Sequence, residues 1–114
     1  MTEHVEVADI DGVPDYRIRR IAARRHDCAL VIPVLNENGR ITGQLESIQA
    51  VNPDVDVIIA DGGSTDGSTE PELLAERGVT TLLTKTGPGK LSAQLRMAIH
   101  FCLDVGYGAV ITMD

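Results

Sequence analysis

The chain has 114 residues, enough for one domain with a real core. It has 43% hydrophobic and 24% charged residues, ordinary values for a water-exposed globular protein. A net charge of −7, 3% aromatic content and no Trp exclude a general nucleic-acid binder and a stacking platform for single strands, so no nucleic-acid partner is expected.

The first 27 residues read as a charged leader, acidic and then Arg-rich. Glu3, Glu6, Asp9, Asp11 and Asp15 come first, with no Lys or Arg among them. Arg17, Arg19, Arg20, Arg24 and Arg25 follow, half of the ten basic residues. One reading is a solvated segment whose halves partly neutralise each other. The other is a basic face for phosphates or an anionic membrane surface. The start lacks the apolar region of a signal peptide, and no apolar run approaches the roughly 18–20 residues that cross a bilayer. A cytoplasmic protein is expected, with the inner face of the membrane as its one possible membrane contact. Cys28 and Cys102 read as free, buried thiols.

From Cys28 a rhythm begins. The runs CALVIPV (28–34), VDVIIA (55–60), VTTLL (79–83) and AVITM (109–113) are short, β-branched and almost wholly apolar. They suit strands buried on both faces of a parallel sheet. Helical patterns separate them. Ile41, Leu45 and Ile48 define the first. PELLAER opens on Pro71 and stops at Gly78. In the third, Leu91, Leu95, Ala98, Cys102 and Val105 form an apolar stripe closed by Gly106. The expected fold class is α/β: an open, mostly parallel sheet in β-α-β-α-β-α-β order over 28–114. Ligands of such sheets bind beyond the carboxyl ends of the strands.

Those ends carry the unusual residues. After the first strand stands PVLNENG. Pro33 marks the strand's exit, and Asn36, Glu37 and Asn38 suit either ligand contact or, for Asn38, a helix cap. After the second comes ADGGSTDGS. Gly62 and Gly63 permit close backbone approach, and Asp61, Ser64, Thr65 and Asp66 offer polar groups. A structural turn needs a Gly and a cap but not this full run, so a ligand role is favoured. The run lacks the alternation and the twelfth-position Glu of a calcium loop.

After the third strand, KTGPGKLSAQ fails as a P-loop, because Thr84 and Leu91 stand where Gly and Ser or Thr are required. It fails as a dinucleotide fingerprint at Ser92. It survives as a Gly-rich loop with Lys85 and Lys90 at a helix start, a place that suits anions or merely surface lysines. The fourth strand ends on Met113-Asp114, where an α/β fold would place a metal-binding carboxylate.

Taken in order, VIPVLNE, IIADGGSTDGS, GPGKLSAQLRMAI and VITMD resemble the nucleotide-sugar half of the family 2 glycosyltransferases. These are GT-A-fold enzymes related to dolichol-phosphate mannose synthase. The resemblance covers about residues 28–114. It implies a Rossmann-like, nucleotide-binding half-domain truncated at the D-x-D motif. It implies that Pro33, Leu35, Asn36 and Glu37 border the base and ribose, and that Asp61 lies in the nucleotide pocket with Gly62, Gly63 and Ser64. Lys90 would follow the phosphates. Asp114 would be the first Asp of a D-x-D that holds Mg²⁺ or Mn²⁺. Many members carry a second acid where this chain has Gly62, which leaves the base undetermined.

The implied reaction moves a sugar from a nucleotide diphosphate sugar to an acceptor, lipid-linked or polysaccharide, which the sequence does not identify. The fragment would supply donor binding and be inactive alone, the remaining machinery lying beyond residue 114. An uncovered terminal strand leads to the expectation of a longer parent chain or a homo-oligomer. The competing class is a non-catalytic α/β module that binds a nucleotide or a partner. A sugar-phosphate nucleotidyltransferase fits less well, because VLNENGR is not its basic, Gly-rich loop.

Overall fold

A computed structural model describes residues 2–6, 12–37 and 39–113. It is an α/β fold in which a six-stranded, mostly parallel sheet carries three helices among the described residues. The strands are β1 (Thr2–Val5), β2 (Tyr16–Arg20), β3 (Cys28–Val34), β4 (Asp56–Asp61), β5 (Val79–Lys85) and β6 (Ala109–Thr112). The helices are α1 (Arg40–Val51), α2 (Pro71–Glu76) and α3 (Leu91–Val105). Strand order across the sheet is β1-β2-β5-β4-β3-β6. Strands β5, β4, β3 and β6 run parallel, while β1 and β2 form an antiparallel flank on β5.

The four apolar runs are strands, displaced by no more than two residues at either end from the predicted bounds. β4 lies at the centre, and all six of its residues are buried. Such a strand must be apolar on both faces, which is why VIIA shows no alternation. Its odd and even positions feed two separate cores. Ile58 and Ala60 join Ala29, Val31, Leu83 and the Met97, Ala98 and Phe101 face of α3. Val57 and Ile59 join Leu30, Ile32, Ile41, Leu45 and Leu74 on the α1 and α2 side. Each fully buried Leu, Ile or Phe contributes roughly 1.5–3 kcal/mol, so the two layers supply most of the drive to fold.

Three differences from the sequence reading have physical reasons. The leader is not outside the sheet: it supplies β1 and β2. YRIRR alternates, with Tyr16 and Ile18 buried and Arg17 and Arg19 exposed. The density of arginines masked that period-two signal, which suits a sheet flank with one wet face. Second, β6 is not buried on both faces; it is an edge strand, with Ile111 and Met113 exposed. Third, the stripe of α3 is rotated from the expected one. Its centre is Gln94, Met97, Ala98 and Phe101, whereas Leu91 is exposed and Leu95 only partly buried. Gly78 and Gly106 end their helices with φ of 79° and 84°, a left-handed region that costs glycine little. Cys28 and Cys102 are free, the first half-buried and the second buried. Among the described residues, no helix is long and apolar enough to cross a membrane.

Candidate functional site

The carboxyl ends of β3, β4 and β5 open onto a cleft of about 460 Å³, a volume suited to a small ligand. Its walls come from every expected strand end except the last. Pro33, Val34, Leu35 and Glu37 follow β3; Gly62 follows β4; Lys85 ends β5; Gly89, Lys90, Leu91 and Gln94 open α3. Arg40 and Gln44 of α1 complete the rim.

Charge is concentrated there against the chain's balance. Arg40, Lys85 and Lys90 face one carboxylate among the lining residues, Glu37, in a protein of net charge −7. Glu37 and Arg40 pair at 3.3 Å on the exposed rim, so the pair adds little stability. Lys85 donates to the Gly87 carbonyl at 2.9 Å and braces the Gly-rich loop. That loop also leans on the N-terminal segment. The Thr86 and Gly87 amides both donate to the Asp15 carbonyl, at 2.9 and 3.0 Å. A Cβ on Gly87 would meet the Asp15 backbone nitrogen at 2.8 Å, so only glycine allows this contact. The stretch read as a leader therefore shapes the Gly-rich loop.

The ADGGSTDGS run folds as a self-supporting loop. The Asp61 carboxylate is buried and accepts the Ser64 hydroxyl at 2.6 Å and the Ser64 amide at 3.1 Å. Burial raises the Asp61 pKa, and the bonds from Ser64 oppose the rise. Two contacts join this loop to Asn36, two residues past the end of β3. The Asn36 amide donates to Ser64 Oγ, and the Thr65 amide donates to Asn36 Oδ1, each at 2.9 Å. Asn36 adopts φ 51°, a left-handed conformation that Asn tolerates better than most residues. Asp66 accepts the Ser68 amide at 3.0 Å and so satisfies a loop N–H as expected.

The predicted residues thus fall into two groups. Pro33, Leu35, Glu37, Gly62 and Lys90 line the cleft. Asp61, Ser64 and Asn36 are hydrogen-bonded to one another and do not line it, and Gly63 sits in their turn at φ 109°. Asp61, expected as a pocket carboxylate, points its charge into its own loop instead. Asn38 and Asp114 lie outside the described residues.

Sequence reasoning missed Arg40, Gln44 and above all Gln94. Gln94 is 4% exposed, and its amide nitrogen donates to the carbonyls of Val34 and Ala60, both at 3.0 Å. It bridges β3 and β4 where their ladder ends, beside the Gly62 amide that donates to Val34 at 2.9 Å. A Cβ on Gly62 would lie 3.0–3.2 Å from the Gln94 amide group, so the glycine makes room for that bridge. The signal was present in the sequence: Gln94 precedes Met97 by three, Ala98 by four and Phe101 by seven, on the core-facing side.

No group of three or more His, Cys, Asp or Glu side chains gathers among the described residues, and Asp114, the expected metal ligand, lies outside them. What the arrangement fits chemically is an anion with an apolar portion: Arg40, Lys85, Lys90 and the start of a 15-residue helix share the lining with Pro33, Val34 and Leu35. No protein-family model, curated protein or solved structure matches this chain.

Proposed function

We propose that this chain binds a nucleotide diphosphate sugar and forms the donor half of a glycosyltransferase of the GT-A type, with a Rossmann-like topology from Cys28 onward. The observation that carries the reading is the cleft itself: three cations and an apolar wall, built from three strand ends in an acidic protein. The diphosphate sits among Arg40, Lys85 and Lys90 at the start of α3. The base lies against Pro33, Val34 and Leu35.

In the transfer, the bond between the sugar's anomeric carbon and the diphosphate oxygen breaks, and a bond to an acceptor hydroxyl oxygen forms. The hydroxyl proton leaves to a base. The diphosphate departs with the bonding electron pair, and the three cations stabilise that growing charge. The test is calorimetric titration with UDP, GDP and their sugars, with and without Mn²⁺. Saturable binding that weakens at least about tenfold in Lys90→Ala and Arg40→Ala is expected. No binding at millimolar nucleotide, or binding indifferent to both substitutions, overturns the reading.

A further inference from the structure

We propose that Gln94 is a positioning residue for anion binding: it pins Lys90 and the start of α3 to the ends of β3 and β4 without itself contacting the anion. This rests on the donor-binding reading above. Lys90 stands at the amino end of α3, and no side chain caps that end. The helix begins with the Gln94 amide, which donates to the Lys90 carbonyl at 3.0 Å. The main chain of Gln94 therefore holds Lys90. Its side chain reaches the other way, to the carbonyls of Val34 and Ala60, both at 3.0 Å. Two acceptors take both hydrogens of the terminal NH₂, and the remaining polar atom is an oxygen. Gln94 lines the cleft with no side-chain donor left for an anion, so what it supplies there is geometry.

The neighbouring glycines fit this role. Gly62 leaves room for the bridge, since a Cβ there would lie 3.0–3.2 Å from the Gln94 amide group. Gly89 has φ 116°, and a Cβ on it would collide with Ala93 Cβ. The Gly-rich loop thus lies directly on the first turn of α3 and moves with it. Farther along, Met97, Ala98 and Phe101 anchor the helix in the core. Loss of the bridge should therefore loosen the first turn before it unfolds the helix. A site held in place by such a support binds more tightly than one free to drift.

The experiment titrates the full chain with inorganic pyrophosphate by calorimetry. Gln94→Met changes no charge and keeps an unbranched side chain. In the folded variant, pyrophosphate affinity is expected to fall at least about fivefold. Lys90→Ala should then cost less in the Gln94→Met background than in the native chain, because the lysine is no longer held in place. A second measurement needs no variant. Binding that requires the bridge must stabilise it by the same factor, so saturating pyrophosphate should slow solvent exchange of the Gln94 side-chain NH₂ hydrogens at least about fivefold by NMR. That measurement decides where Gln94→Met does not fold. Affinity within about twofold of native in folded Gln94→Met, additive effects of the two substitutions, or unslowed NH₂ exchange overturns the positioning role and leaves anion binding intact. Failure of pyrophosphate to bind the native chain overturns both.

Discussion

Tyr107 donates its phenolic hydrogen to Asp56 Oδ2 across 2.6 Å, in the buried layer at the amino end of β4. The same carboxylate accepts the backbone amides of Arg25 and His26 at 3.1–3.2 Å. One charge thereby ties together the turn before β3, the start of β4 and the turn after α3. Arg24 closes the arrangement, its guanidinium 4.0 Å from the centre of the Tyr107 ring. Tyr107→Phe keeps the ring and removes one donor from a buried carboxylate. We expect a loss of about 1–3 kcal/mol in urea unfolding. An unchanged midpoint would show that the bond contributes nothing net.

Alkaline pH should unfold the protein. Burial pushes the Tyr16 hydroxyl up to about 12, with Asp104 and Cys102 adding to the rise, and pushes the Cys102 thiol up to about 11 against the pull of Arg24. Tyr107 is raised in the same direction, by burial first and then by Asp56. Each group is held neutral in the folded state more strongly than in the unfolded chain. Their contribution is therefore complete below the unfolded pKa values of 9.0 and 10.0 and is lost as pH climbs through the folded ones. These three groups leave urea midpoints unchanged below about pH 9 and lower them steadily between about pH 9 and 12. Tyr16→Phe should flatten part of that fall, at the cost of the 2.7 Å bond with His100.

Ser64→Ala removes both the hydroxyl donor to Asp61 and the acceptor for the Asn36 amide. Burial of Asp61 is then opposed by fewer bonds, so its pKa should rise further above the ordinary carboxylate value. A carboxyl carbon titration by NMR reads this directly. We also expect about 1–2 kcal/mol of destabilisation, because the buried Asp61 carboxylate loses a donor while the exposed Asn36 amide can turn to water. A pKa that stays in place or drops would contradict the assigned role of Ser64.

Two glycines give a matched pair. At Gly62 a methyl group would press on the Gln94 amide, which its two bonds hold in place, and Gly62→Ala should cost about 1–2 kcal/mol. At Gly43, inside α1, a Cβ meets nothing within 4 Å. Gly43→Ala should therefore stabilise by about 0.5–1 kcal/mol through helix propensity and a less free unfolded chain. Chemical denaturation of both variants checks the pair. Equal effects would show that Gln94 yields easily.

The diphosphate binding proposed for the cleft should weaken with added salt, because Arg40 and Lys90 are exposed and screened. Titration of inorganic pyrophosphate between about 0.05 and 0.5 M NaCl should show a falling affinity, several-fold at least. Salt-independent binding would move the anion away from these side chains.

What could be read along the chain was whatever depends on local period and local chemistry. Continuous β-branched runs meant strands wet on neither face, and VIIA in β4 is one. Pro71, Gly78 and Gly106 stand where helix ends require them, because backbone φ is a property of single residues. Pro33, Leu35, Glu37, Gly62 and Lys90 reach one cleft because strand ends in a parallel sheet share an edge. What only the tertiary structure decided were relations between distant residues. Arg17 and Arg19 hid a strand whose partner, β5, lies more than sixty residues away. Asp61 looked like a pocket carboxylate until its loop closed over it. Gln94 looked like one polar residue in an amphipathic helix. Its role exists only because Val34 and Ala60, 60 and 34 residues back along the chain, each bring a carbonyl within 3.0 Å of the same nitrogen, where Gly62 leaves room.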